Sequence, residues 1–135
     1  MNNELLKQMG MADVIPYVNL YIQSWYNVMN KGQNISIHLH DITPTCYLGG
    51  HITVQCDDTY TGYTHPALIP ILDEGSDNKS FVHQSKNKVG KITLFPNHIP
   101  HFTNTHEGDK ERVTIAFDLV TQNNTATAND NYVRI

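Results

Sequence analysis

The chain has 135 residues, 39% of them hydrophobic and 16% charged, with a formal net charge of −4. That length suits one domain able to bury its own core, and the negative balance argues against a nucleic-acid partner. No apolar run approaches the roughly 20 residues that cross a bilayer, so no membrane partner is expected. The N-terminus lacks a basic segment followed by an apolar stretch, so no signal peptide is read, and Cys46 and Cys56 read as reduced thiols of a cytoplasmic protein.

In chain order, residues 1–11 carry a short apolar stripe of Leu5, Leu6 and Met9 that predicts a helix remnant ended by Gly10. Val14 to Met29 is rich in β-branched and aromatic residues and predicts two strands or one long bent one. Asn30 to Asn34 is a turn. Ile35-Ser36-Ile37-His38-Leu39-His40 then alternates strictly, as a strand does when its apolar face (Ile35, Ile37, Leu39) lies in a core. Asp41 to Thr45 is a loop around Pro44. Tyr47 to Cys56 is the next strand, and its Gly49-Gly50 pair predicts a bulge or a close approach.

Asp57 to Thr64 reads as a polar turn. His65 to Leu72 is apolar but carries Pro66 and Pro70, which suits an edge strand or an extended segment. After a turn over 73–78, Phe81 to Gln84 and Lys91 to Phe95 are short strands separated by a basic turn. Pro96 to Pro100 interrupts the second of these, and His101 to Asn104 resumes pairing. Thr105 to Lys110 is a hairpin loop, and Glu111 to Thr121 is a strong strand. One domain is expected over 1–122, with a polar tail over 123–135. Many short strands divided by turn signals predict an all-β sandwich or barrel.

Eight histidines in so short a chain invite a metal hypothesis. In a strand, His38 and His40 project from one face with Cβ atoms roughly 7 Å apart, so both rings can converge on one ion. The same pattern also suits two polar residues on a solvated face. His101 is a third candidate, because Pro96 and Pro100 fix the backbone that leads to it; His98, in the turn, is expected to be exposed. On the last strand Arg112, Thr114, Ala116 and Asp118 share one face, and Val113, Ile115, Phe117 and Leu119 the other. Facing inward, Arg112 with Thr114 can hold a carboxylate; facing outward, the arginine pairs with Glu111 or Asp109.

Taken together, Ser24-Trp25-Tyr26-Asn27, His38-Leu39-His40, Gly90 to Pro96, Ile99-Pro100-His101 and Glu111 to Phe117 resemble the prolyl-hydroxylase-like group of 2-oxoglutarate/Fe(II)-dependent oxygenases, a group frequent in marine phages and bacteria. The resemblance runs from about Ser24 to Leu119. It implies a double-stranded β-helix, a cupin-like jelly roll. It implies iron ligands at His38 and His101, and a 2-oxoglutarate carboxylate at Arg112 with Thr114 beside it. The usual facial triad of this chemistry has two histidines and one carboxylate in an H-x-D/E arrangement, and this chain has His40 where the carboxylate belongs. Strand alternation favours His40 over Asp41 as third ligand, since a one-residue slip reverses the face. Gly49-Gly50-His51-Ile52-Thr53 also departs from the expected Ser-Gly and paired tyrosines.

The expected function is therefore that of a hydroxylating dioxygenase that uses Fe(II), 2-oxoglutarate and O2 on a small-molecule or peptidyl (prolyl) substrate; a homodimer is compatible with it. One rival is a three-histidine cupin-type dioxygenase that needs no 2-oxoglutarate, for which Arg112 would be superfluous. The other is a non-enzymatic jelly-roll binding module, which would hold no metal.

Overall fold

Branched and aromatic side chains pack well on a pleated surface, and the segments rich in them are extended here. The computed structural model describes residues 7–8, 10, 18–40, 46–65, 71–72, 79–80, 82–123 and 133–134. Among these, the strands are β1 (Val18–Met29), β2 (Cys46–Gln55), β3 (Tyr60–Thr64), β4 (Ile71–Leu72), β5 (Lys79–Ser80), β6 (Val82–Lys86), β7 (Ile92–Pro96), β8 (His101–Thr103), β9 (Arg112–Asn123) and β10 (Val133–Arg134). One sheet runs β10-β1-β9-β2-β7, a second β6-β3-β8, and β4-β5 form a ribbon. All pairings are antiparallel. The second sheet is extended irregularly by the segment before His40. His38 and His101 exchange backbone hydrogen bonds of 3.0 Å in both directions, and the Thr103 amide donates to the Ile35 carbonyl at 3.0 Å. Two sheets face to face in this way make the all-β sandwich that the strand pattern predicts, and the double-stranded β-helix that the family resemblance implies.

The register of the larger sheet decides what lies between the layers. Across β1, β9 and β2, Asn27 pairs with Thr114 and Thr114 with Thr53, while Trp25 pairs with Ala116 and Ala116 with His51. At the end of β1, Met29 pairs with Arg112. Alternation then turns Arg112, Thr114, Ala116 and Asp118 inward, and all four are buried. The interior is thus strongly polar. Its apolar members include Met29, Tyr63 and Phe95, with the Tyr63 and Phe95 rings 5.3 Å apart across the two layers.

Several expectations need correction. Ile35 to His40 is not a regular strand; it carries one isolated bridge, at His38. Its apolar residues do not form a core face, since Ile37 is 59% and Leu39 45% exposed, while Ile35 lines the cavity described below. A bend at Ile37 shifts the alternation, and it is the histidines that turn inward. Residues 60–64, expected to belong to a turn, form β3, the centre of the second sheet, as a run of Tyr and Thr readily does. On the face opposite Arg112, Ile115 does not pack into a layer: it is 39% exposed and pairs with Tyr26, which is 76% exposed.

Residues 18–29 form one strand rather than two, and Pro96 ends β7 at the sheet's edge. Near the C-terminus, β9 runs on to Asn123, and Val133 and Arg134 pair with Ile22 and Tyr21. Lys7 and Gln8 are helical, and Gly10 closes a turn onto Lys7 at φ 71°. The rest of the expected helix, the 41–45 loop, residues 66–70 and the 73–78 turn lie outside the described residues.

Gly50 shows why this sheet tolerates glycine in a strand. A Cβ there would lie 2.6 Å from the Phe117 ring and 2.8 Å from the Thr93 carbonyl oxygen. Gly50→Ala should therefore destabilise the protein by about 1–3 kcal/mol through overpacking, read by urea unfolding; an unchanged midpoint would show that the contact is not tight.

Candidate active site

His38, His40 and His101 arrive from different directions. His101 opens β8, directly after the Pro96–Pro100 segment, and His38 is bridged to it through the backbone. His40, two residues on, turns to the same side. One ligand nitrogen from each lies within 4.8 Å of those of the other two. The ring centroids are 4.2 Å apart for His38 and His101, 4.8 Å for His40 and His101, and 5.7 Å for His38 and His40.

Each ring is held through its Nδ1. His38 donates to the Ser36 carbonyl at 2.8 Å, and His101 to the Ile99 carbonyl at 3.1 Å. His40 bonds the Asp118 carboxylate. A carbonyl oxygen only accepts, so Nδ1 of His38 and of His101 must carry the proton, which leaves Nε2 as a free lone pair. This is the tautomer a metal-binding imidazole needs. Gly49 makes room for the arrangement, since a Cβ there would lie 2.7 Å from His40 Nδ1 and 2.9 Å from the Phe95 ring. His98 is exposed, as expected, and Asp41 lies outside the described residues.

A cavity joins these histidines to Arg112 and Thr114, walled also by Trp25, Asn27, His51, Thr61 and Phe95. Arg112 is only 3% exposed. Its Nη2 donates to Thr61 Oγ1 at 3.3 Å, whereas Nε and Nη1 have no partner among the described residues. Burial pulls the guanidinium below its ordinary range, against the influence of Cys56 and Tyr63. A buried cation with two unsatisfied donors is costly unless an anion meets it. The residues present therefore fit a metal at one end of the cavity and a carboxylate at the other.

The structure adds residues that the sequence reading did not select. His51, on β2, is buried beside this cavity, and its Nε2 has no partner among the described residues. Burial above all, then the positive charges of Arg112 and Lys91, push its pKa down to about 4, against a hydrogen bond that its ring donates to Asn87. Burial likewise pushes His101 down to about 4, opposed by its bond to Ile99, and lifts the Tyr63 hydroxyl well above its ordinary range. Tyr63 Oη and Thr53 Oγ1 are also buried without partners among the described residues. Strand alternation in β2 would have put His51 and Thr53 on one face with Gly49; Thr61 and Tyr63 lay in the missed strand. His106, fully buried, belongs to the scaffold: its Nε2 donates to the Lys110 carbonyl at 2.5 Å and its backbone pairs with Gly32 and Gln33.

Comparison with known proteins agrees with this geometry. The family profile described as "Putative 2OG-Fe(II) oxygenase" matches residues 23–118. None of the functionally curated proteins matches the chain by sequence. Similar solved structures include a Pseudomonas putida prolyl-4-hydroxylase (TM-score 0.54, 12% identity, 73% of this chain and 52% of that one). A 2OG-Fe(II) oxygenase-family oxidoreductase from Burkholderia pseudomallei is another (0.58, 16%, 75% and 44%). HygX from Streptomyces hygroscopicus, solved with iron bound, is a third (0.54, 15%, 87% and 64%). At these identities the likeness speaks for the fold, and the chain spans about half the length of the first two.

His51 and His101 make the stability of the metal-free protein depend on pH. Both are neutral when folded down to about pH 4, whereas an unfolded histidine titrates near 6.5. Between those values the unfolded chain binds more protons, so their contribution is complete above pH 6.5 and lost as the pH falls toward 4. The loss should reach about 3 kcal/mol per histidine at most. Urea unfolding at steps from pH 7 to 4.5 reads it, with a shallower slope expected in His51→Asn. An equal slope in that variant would contradict the burial of a neutral His51.

Proposed function

The chain belongs to the 2OG-Fe(II) oxygenase family, its match running over residues 23–118, and from that premise we propose that it is a non-haem iron dioxygenase hydroxylating a small-molecule or peptidyl substrate with 2-oxoglutarate and O2. The observation that carries the reading is the shared cavity, with three converging histidines at one end and the incompletely satisfied Arg112 guanidinium at the other. In this reading His38, His40 and His101 hold the metal through Nε2. Arg112 receives the far carboxylate of 2-oxoglutarate through Nε and Nη1, which have no partner among the described residues, with the Thr114 hydroxyl beside it.

Bound Fe(II) and 2-oxoglutarate supply the oxygen activation that no side chain can provide. The chain's own contribution is placement. The Ser36 and Ile99 carbonyls and Asp118 fix the three rings, and the polar interior fixes the cosubstrate's orientation. Trp25, 37% exposed with its ring 5.4 Å from that of His40, offers a flat apolar surface at the metal end for the group to be oxidised. A prolyl side chain is the substrate suggested by the prolyl-hydroxylase-like character of the motifs. Cys46 and Cys56 form no disulfide among the described residues, which suits a cytoplasmic setting, and no helix among the described residues is long and apolar enough to cross a membrane.

The all-histidine donor set also suits a dioxygenase that needs no 2-oxoglutarate. The nitrogens of Arg112 that have no partner among the described residues favour the present reading over that one.

Calorimetric titration of the Fe(II)-loaded protein with 2-oxoglutarate under anaerobic conditions separates them. Arg112→Ala should weaken 2-oxoglutarate binding by about 100-fold or more, with metal affinity little changed. Arg112→Lys should recover part of the loss, supplying charge without the fork. Identical isotherms for wild type and Arg112→Ala would move the three-histidine, cosubstrate-free reading ahead.

A further inference from the structure

Two of the three candidate ligands rest on neutral acceptors, the carbonyls of Ser36 and Ile99. Only His40 rests on a carboxylate, that of Asp118. His40 is also the one that stands where an H-x-D/E triad would carry its anionic ligand. These facts are independent, since one is the sequence spacing and the other is a contact between residues 78 apart in the chain. The contact is well shielded: the two side chains are 5% and 10% exposed.

We infer that Asp118 is the carboxylate of this metal centre, placed one bond further out and acting on the ion through His40. The inference rests on the metal reading given above. An ion at Nε2 draws electron density from the ring and makes Nδ1–H a stronger donor. A carboxylate at Nδ1 returns that density by accepting the bond, so the imidazole gains anionic character and basicity. In a shielded site the full negative charge of Asp118 also stays close enough to attract a divalent ion. Three neutral imidazoles alone would leave the centre one negative charge short of a two-histidine, one-carboxylate site; Asp118 restores it. Its place on β9 follows from the alternation that also turns Arg112 and Thr114 inward, so one strand sets the charge at both ends of the cavity. Asp118 is a positioning residue in this account, since it reaches the metal only through the ring.

The test is a double-mutant cycle on metal affinity, measured by competition titration with Co(II) and Fe(II) in the absence of 2-oxoglutarate. Asp118→Asn keeps an acceptor oxygen beside His40 and removes the charge; it should weaken metal binding by about 10–100-fold. His40→Asp installs the carboxylate as a direct ligand. In that background Asp118→Asn should leave affinity unchanged or raise it, because the outer charge has become redundant and repels the inner one. The double variant also serves where Asp118→Asn alone folds poorly, as judged by circular dichroism: the inference requires it to bind metal nearly as tightly as wild type. An equal loss in both backgrounds would show that Asp118 merely supports the fold, and no loss in either would remove it from the metal centre; both overturn the inference. A wild-type protein that binds no divalent ion would instead overturn the metal reading itself, a result the cycle distinguishes from the other two.

Discussion

An arginine with two nitrogens unsatisfied among the described residues sits between sheets that should close on apolar side chains. That buried charge organises the molecule. Burying a guanidinium costs several kcal/mol unless an anion or a full set of acceptors meets it, and Thr61 supplies only one contact. The surrounding layer is built for a polar guest. Asn27, His51, Thr61, Thr103 and Thr114 line the cavity and give it hydrogen-bonding capacity far beyond what packing alone would need. The chain holds a charged, partly unpaired interior, which fits a fold that spends stability on a site.

The metal end follows a different logic, which is preorganisation. Three imidazoles that could rotate freely would meet an ion only at an entropic cost. Here each has one nitrogen tied to an oxygen and the other left free, so the ring planes are set before any ion arrives. Backbone does most of this work, through the Ser36 and Ile99 carbonyls and the bridge between His38 and His101. The missing side chain of Gly49 matters as much as any present, because His40 and Phe95 occupy the space a Cβ would take.

Much of this was legible in the sequence, and the failures are instructive. Alternation in residues 111–121 placed Arg112 and Thr114 on one face with Asp118, and all three are buried there. The prolines around His98 pointed to His101 as a fixed histidine. The family motifs identified the fold. The strand rule failed for residues 35–40, because it assumes that apolar residues turn inward; where the interior is a polar site, the histidines go in and Ile37 and Leu39 face water. The same assumption read Tyr60 to Thr64 as a turn, hiding Thr61 and Tyr63. The link between Asp118 and His40 could not be read at all, since it depends on how two distant segments meet across the sandwich.

The central claim is that the histidines and Arg112 form two ends of one cosubstrate site. Anaerobic titration of 2-oxoglutarate into the Fe(II)-loaded protein, followed in the visible region, tests it directly. The account predicts a charge-transfer band that saturates at one equivalent of 2-oxoglutarate, as expected when one molecule chelates the iron while Arg112 holds its far end. Iron bound at full stoichiometry, with no band at saturating 2-oxoglutarate, would contradict it.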